Sequence, residues 1–361
     1  GTPFHEGKIN LDQIISASEA VGACLRKKDS FHTVIIKSTV VPGTTNNLVK
    51  NILEKTSKKK CNKEFGLGMN PEFLREGKAI SDFMNPDRLV FGGSDKKVHS
   101  ILKEIYAEFI NEDIIFTTNN AAEMIKYTSN SLLATLISFS NEIGNLCERL
   151  DDVDSEDIFK AVHLDKRLSP IIEKKRILPE INTYLKSGCG FGGSCFPKDV
   201  NALISFGKSK GQSMSLLNSV IEVNKKQPNK IVDKIKSNFS SLEDLKIGIL
   251  GLSFKPETDD IRESPAITII KKLLKYNSYI SAYDPIAQAN TKKLFNKNEI
   301  KFCKSIYEAI YNVEVIVLLT AWEEFKDLDI ILKENKLNPL VIDGRRFLNK
   351  KKFNKFEAIG M

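Results

Sequence analysis

Apolar positions recur at helical spacing near the start of the chain. Leu11, Ile14, Ile15, Ala17, Val21 and Leu25 fall on one face of a 3.6-residue period, and Arg26-Lys27-Lys28 close the segment with cations suited to a helix C-terminus. The β-branched run Thr-Val-Ile-Ile-Lys-Ser-Thr-Val-Val at 33–41 stops at Pro42-Gly43 and predicts a buried strand. A helix over about 44–57, a short strand at 65–69 and a strand at 88–91 follow. Strands alternating with helices predict a parallel α/β layer through about residue 117.

The pattern then changes. Residues 121–150 carry no proline and are apolar on one face through Met124, Leu132, Ile137, Ile143 and Leu146, which predicts one long helix. A second long helix is predicted through Leu216, Leu217, Ile221 and Val223. After the polar stretch 237–244, strand signals return at 246–250, 279–283, 313–319 and 340–342, with helical patterns between them. The expected organisation is an α/β domain over 1–117, a helical connector over 118–240 and a second α/β domain over 241–361.

Composition narrows the class. Of 361 residues, 41% are hydrophobic and 28% charged, ordinary values for a globular chain. No apolar run reaches the length of a membrane span. The six cysteines are scattered without a CxxC pair, which argues against a zinc site or a disulfide framework and fits a reducing cytosol. The net charge of +8 sits largely in lysine runs such as 58–60, without the basic-aromatic pattern of a nucleic-acid surface.

Four segments carry candidate chemistry. In GFGGSCFPKD at 190–199, Cys195 ends a glycine cluster, with Lys198 and Asp199 just beyond. A nearby cation favours thiolate and a carboxylate can move a proton, so the cysteine suits nucleophilic work, although a buried cysteine can also be simple packing. In NPEFLREG at 70–77, Pro71 at a helix start would place Glu72 and Glu76 on one face with Arg75 as their partner. In EMIKYTSN at 123–130, Lys126 and Asn130 lie one helical turn apart, where they could steady an oxyanion and hold a sugar hydroxyl. Taken alone, each of these two segments reads first as an ordinary helix with a solvated face. The fourth, residues 251–265, follows a strand directly, the position where α/β sheets bind ligands. No GxGxxG directly after a predicted strand and opening a helix is present, and no Walker pattern occurs in the chain.

Together these segments resemble the nucleotide-sugar 6-dehydrogenases, the UDP-glucose/GDP-mannose dehydrogenase family. The similarity runs through KSTVVPGTT at 37–45, NPEFLREG at 70–77, PDRLVFGG at 86–93, EMIKYTSN at 123–130, GFGGSCFPKD at 190–199, FKPETDDIRESP at 254–265 and DGRR at 343–346. Each motif is modest singly; seven in order are specific. The resemblance implies two Rossmann-like domains joined by a long helix that builds a homodimer or higher homo-oligomer, and oxidation of a sugar C6 alcohol to a carboxylate with two NAD.

The residue roles that follow are those the resemblance implies. Cys195 is the catalytic thiol, forming a thiohemiacetal and then a thioester. Lys126 steadies the oxyanion, Asn130 contacts the sugar, and Asp199 acts with Lys126 and a water. Glu76 belongs to thioester hydrolysis and the nicotinamide side, and Thr39 stands beside the cofactor. Glu72, Phe73, Leu74 and Arg75 line the substrate, as do Tyr184, Lys186, Gly190, Phe191 and Gly192. Phe254, Lys255 and Arg345 contact the nucleotide half, and Arg167 reaches a neighbouring subunit's site. Thr2, Pro3, Ser38 and Cys195 join the cofactor contacts, with Arg262 at the pyrophosphate. No metal is implied.

Two departures from the family pattern stand out. The glycine fingerprint and first strands have no counterpart, so on this reading roughly 80 residues are absent, enough for the missing βαβ units. The chain alone is therefore expected to bind NAD weakly and turn over nothing. About a dozen extra residues, including Glu173-Lys-Lys-Arg176, also separate Asp165-Lys-Arg-Leu-Ser-Pro170 from the glycine loop. Ser194 before the cysteine points to UDP-glucose, with GDP-mannose as the alternative. A β-hydroxyacid dehydrogenase would share the Lys-x3-Asn arrangement but needs neither the thiol nor the C-terminal domain. A fragment that only binds a sugar nucleotide is the non-enzymatic reading.

Overall fold

The computed structural model describes residues 2–5, 8–109, 113–296 and 298–361. The chain packs as two units, Gly1–Ser131 with Lys198–Met214, and Leu132–Pro197 with Ser215–Met361.

The first unit is built on a sheet whose strands lie in the order His32–Ile36, Phe65–Met69, Leu89–Gly93 and Ile114–Thr117. Its strands alternate inward residues between two faces. Val90 joins Val40, Leu53, Leu67 and Met69 on one side, while Leu89 and Phe91 join Val98 and Leu102 on the other. The expected all-parallel layer is corrected at one step. The outer pairs are parallel, but Phe65–Met69 and Leu89–Gly93 run antiparallel. A parallel return needs a crossover packed on the sheet. Between those strands the chain supplies only the short helix Ala79–Met84, none of whose residues is buried.

The first strand ends at Ile36, earlier than the apolar run suggested, and Val40 serves the core from the loop beyond. The expected helix after Pro42-Gly43 is present as a wide π-type turn, Thr44–Val49, continued by the α-helix Lys50–Ser57. The long helix is Asn119–Cys147.

The second unit contains a six-stranded sheet, all of whose pairs are parallel. The spatial order is Ile300–Phe302, Tyr279–Tyr283, Lys246–Leu250, Val315–Leu318, Leu340–Asp343 and Phe356–Ala358. Numbered along the chain, this is 3-2-1-4-5-6, the doubly wound order. Val315 and Val317 enter one core with Ile231 and Ile235 of the helix Ser215–Asn238, and Ile316 and Leu318 enter the other with Phe325 and Leu328. Both faces are covered, which is why these strands read as continuous apolar runs. The order reverses between Lys246–Leu250 and Val315–Leu318, so the crevice beyond their carboxyl ends is the predicted ligand position.

The extra residues after Pro170 form a small hairpin, Ile171–Ile172 against Lys175–Arg176, followed by the turn Glu180–Tyr184. Arg176 folds back to donate to the carbonyls of Leu164 and Ser169, both at 2.9 Å, tying the hairpin to the segment that carries Arg167.

Candidate active site

In the first unit, residues 70–78 are an irregular loop and the helix begins only at Ala79. The expected helix placing Glu72 and Glu76 on one face is therefore corrected. Local side-chain acceptors compete with helical bonding here. Glu72 accepts the Leu74 amide at 2.7 Å, Asp82 accepts the Arg75 amide at 2.8 Å, and Gly77 turns at φ +82°. Arg75 pairs with Asp82 at 2.8 Å, which holds that carboxyl below its usual range. Asn70 anchors the loop. Its Oδ1 accepts from Lys37 Nζ and Tyr106 OH, both at 2.7 Å, and its Nδ2 donates to the Val90 carbonyl.

The loop faces the long helix. Glu72 Oε1 lies 3.5 Å from Lys126 Nζ, and Lys126 is 5.3 Å from the centre of the Phe73 ring. Lys126 and Asn130 are both buried, so this helix face is not the solvated one that spacing alone allowed. Asn130 Nδ2 donates to Asp199 Oδ2 at 2.6 Å, and Lys198 pairs with the other oxygen. Between them, Tyr127 is fully buried; burial and then the carboxylates of Asp199 and Glu123 push its phenol well above its usual range. Glu76 and Leu74 are half-buried in the loop.

Glu123 was not singled out by sequence, yet it holds the segment after Pro42 in place. Its fully buried carboxylate accepts from the amides of Gly43 at 2.6 Å and Thr45 at 2.8 Å, and from the Thr45 hydroxyl at 2.6 Å. Gly43 sits at φ +94°, which exposes these amides at the start of the following helix. Burial pushes the Glu123 carboxyl up, against the pull of these bonds. Ser38 and Thr39 are half-buried just beyond the strand His32–Ile36, and the Thr39 carbonyl accepts from Thr2 at 2.9 Å. Pro3 is exposed beside Thr2.

In the second unit, the glycine loop is packed against protein. A Cβ on Gly192 would lie 2.3 Å from the Glu263 carbonyl oxygen, and one on Gly193 would lie 2.8 Å from the Phe254 ring. The bare backbone thus first serves close approach of neighbouring loops. The loop is held by side-chain amides that sequence reasoning missed. Asn224 bonds both the amide and carbonyl of Phe191, at 2.8 and 3.0 Å, and Asn141 and Gln227 take the amide and carbonyl of Gly188. Their signal is a polar residue at a buried phase of an apolar helix.

The two cysteines of this region differ. Cys189 is fully buried and its thiol is pushed up by burial. Cys195 is exposed, unpaired and one residue before the helix Phe196–Ser209. Tyr184 packs against Phe196 with ring centres 6.4 Å apart, and Lys186 is exposed.

Arg345 sits at the switch-point crevice. It donates through Nε to the Leu319 carbonyl at 2.6 Å, through Nη1 to that of Gly190 at 2.8 Å, and through Nη2 to that of Phe254 at 3.2 Å. It staples the glycine loop to the crevice walls. Asp343, fully buried, shapes the turn that presents it by accepting the amides of Arg345, Phe347 and Leu348. Phe254 and Lys255 are half-buried here. Arg262 pairs with Asp260 at 2.8 Å, while its carbonyl accepts the Gly193 amide. Arg167 is 89% exposed and pairs with Asp165.

Sequence models of the UDP-glucose/GDP-mannose dehydrogenase family match in three parts. The NAD binding domain matches residues 1–110, the central domain 120–226 and the UDP binding domain 248–350. The chain belongs to this family. NAD is the cofactor of its N-terminal domain. Among curated family members, UDP-glucose 6-dehydrogenase AglM of Haloferax volcanii is 35% identical over 358 residues, covering 98% of this chain and 79% of that protein. UDP-glucose 6-dehydrogenase TuaD of Bacillus subtilis is 37% identical over 97% of this chain and 72% of its own length. A solved UDP-glucose dehydrogenase from the hyperthermophilic archaeon Pyrobaculum islandicum superposes with a TM-score of 0.87 at 34% identity, covering 99% of this chain and 78% of that one. The expectation that this chain is inactive finds no support in these matches.

Proposed function

We propose that this family member oxidises UDP-glucose at C6 to UDP-glucuronate through a covalent adduct on Cys195. The observation that carries the reading is the buried Asn130–Asp199 pair beside Lys126, with an exposed, unpaired thiol four residues before Asp199. Ser38 and Thr39, at the carboxyl end of a strand with Thr2 bonded behind them, fit the nicotinamide side of a dinucleotide. The glycine turn that cradles a pyrophosphate is not in the sequence, and no residues are assigned to that role except Arg262.

NAD, when bound, accepts the hydride lost from C6 in each of two oxidations. In the first, the alcohol also loses its proton and becomes an aldehyde, with Lys126 offsetting the negative charge on oxygen and Asn130 holding the sugar. The Cys195 thiolate then adds to the aldehyde carbon, giving a thiohemiacetal whose C6 again bears a transferable hydrogen. Its oxidation leaves a thioester. Asp199 and Glu76 direct water to that carbonyl, and cleavage of the C–S bond releases the carboxylate and restores the thiol. Phe254, Lys255 and Arg345 hold the nucleotide half, Arg345 by fixing the loop carbonyls as well as by its own charge.

The apolar side chains of Phe139 and Leu146 on the long helix are half exposed, which supports a homodimer through that helix. Arg167, exposed in one copy, is assigned to the partner's site. Six unpaired cysteines suit a reducing cytoplasm.

The test is Cys195→Ala. Substrate binding survives, but two oxidations are no longer coupled. NADH formed per sugar consumed and mass spectrometry for a thioester in the parent read this directly. Near-parental formation of the uronic acid by the variant would show that the thiol is only packing.

A further inference from the structure

We propose that Arg88 is a positioning residue that sets the place of the Lys126 side-chain nitrogen. The inference rests on the reading of Lys126 as the oxyanion-stabilising group, and it extends that reading to a residue with no assigned role.

Arg88 stands immediately before the strand Leu89–Gly93 and grips two elements at once. Its guanidinium lies over the Phe73 ring, 3.9 Å from the ring centre, and its Nη2 donates to Ser129 Oγ at 3.2 Å. Phe73 belongs to the irregular loop 70–78, and Ser129 belongs to the long helix, between Lys126 and Asn130 in sequence. The same ring carries the second cationic side chain, with Lys126 Nζ 5.3 Å from its centre. Glu72, next to Phe73, completes the setting of Lys126 at 3.5 Å. Lys126 thus has two direct neighbours in this loop, the ring and the carboxylate. Arg88 fixes the ring and, through Ser129, its distance from the helix.

Arginine is suited to this task and lysine is not. The planar guanidinium stacks on a ring face and still offers an in-plane donor to Ser129, whereas an ammonium is a point charge that can satisfy one demand or the other. The loop has no regular hydrogen-bonding ladder of its own, being anchored at Asn70 and by the Arg75–Asp82 pair. Without Arg88, the stretch containing Glu72 and Phe73 keeps those anchors and its contacts with Lys126 but loses the tie from the Phe73 ring to Ser129. The fold survives while Lys126 becomes less well placed.

The experiment compares Arg88→Met, which keeps an apolar stem over the ring, with Arg88→Lys. Thermal unfolding first establishes that both variants fold. With UDP-glucose and NAD, Arg88→Met lowers kcat on the order of 10–100-fold, the scale of a misplaced catalytic group, and leaves KM for the sugar nucleotide within about twofold. Arg88→Lys restores only a minor part. In a Lys126→Ala background, Arg88→Met costs little further, because the group it positions is gone. Full additivity of the two changes, or a loss expressed in KM alone, overturns the proposal.

A second readout does not depend on turnover. In protein labelled at the lysine ε-carbon, the Phe73 ring displaces the Lys126 signal, and Arg88→Met collapses that displacement. An unchanged signal overturns the positioning role even if activity falls. A parent protein that shows the displaced signal but no oxidation of UDP-glucose defeats the functional reading and leaves the geometry standing.

Discussion

Asn130 donates to Asp199 across 2.6 Å in a setting where both side chains are buried, so each is the other's means of being there. A carboxylate that is 1% exposed cannot turn to water when a donor is withdrawn. Asn130→Leu keeps the branched shape and removes that donor, while the Lys198 ion pair to Asp199 stays. Stability falls by about 1.5–3 kcal/mol, read as a lower urea midpoint with an unchanged slope. A loss below about 0.5 kcal/mol, the level of an ordinary surface change, would mean the bond does not hold Asp199.

Gly192→Ala tests the packing of the glycine loop apart from any ligand. Its Cβ would meet the Glu263 carbonyl oxygen at 2.3 Å, a backbone atom that cannot rotate away. Overpacking of this kind costs about 1–3 kcal/mol. Calorimetry of the ligand-free protein measures it. An unaltered melting temperature with weakened sugar-nucleotide binding would shift the glycine's purpose from packing to ligand approach.

Glu123 makes a pH-dependent contribution whose sign follows from its raised carboxyl pKa. Folding disfavours the ionised form, so the stability contributed by the neutral form is fully present below the ordinary value of 4.5 and is lost as pH rises through the folded value. Glu123→Gln keeps an acceptor oxygen and does not titrate. The unfolding free energy of the parent minus that of the variant should therefore decline as pH rises above 4.5. A difference that grows with pH would mean that the bonds from Gly43 and Thr45 outweigh burial.

Substrate preference is a separate expectation. Specificity constants for UDP-glucose, GDP-mannose and UDP-N-acetylmannosamine should rank UDP-glucose first. The reading rests on Ser194 and on the resemblance around Lys255, and a clear preference for GDP-mannose would replace it.

Sequence by itself determined what short-range chemistry controls. The strand runs at 247–250 and 340–342 carry no polar side chain because both faces of a parallel sheet are covered, and that composition is legible without coordinates. The Lys126–Asn130 spacing is a helical repeat, and the unbroken periodicity around it specified the helix that carries both. The motif order identified the family, because the spacing of chemical groups is itself written in the chain.

Tertiary structure decided where local preference and distant partners compete. Pro71 and the glutamates after it suit a helix start, yet Glu72 caps its own Leu74 amide and Asn70 is pinned by Lys37, Tyr106 and Val90, so the loop never winds. The direction of Leu89–Gly93 could not be read from its own apolar residues, since a strand's pattern is the same in either direction. Glu123 and Arg88 look like surface charges in sequence. Only the fold brings Gly43 and Thr45 to the one and Phe73 and Ser129 to the other. A charge becomes a structural fastener when burial removes water as its alternative partner, and burial is a property of the whole packed unit.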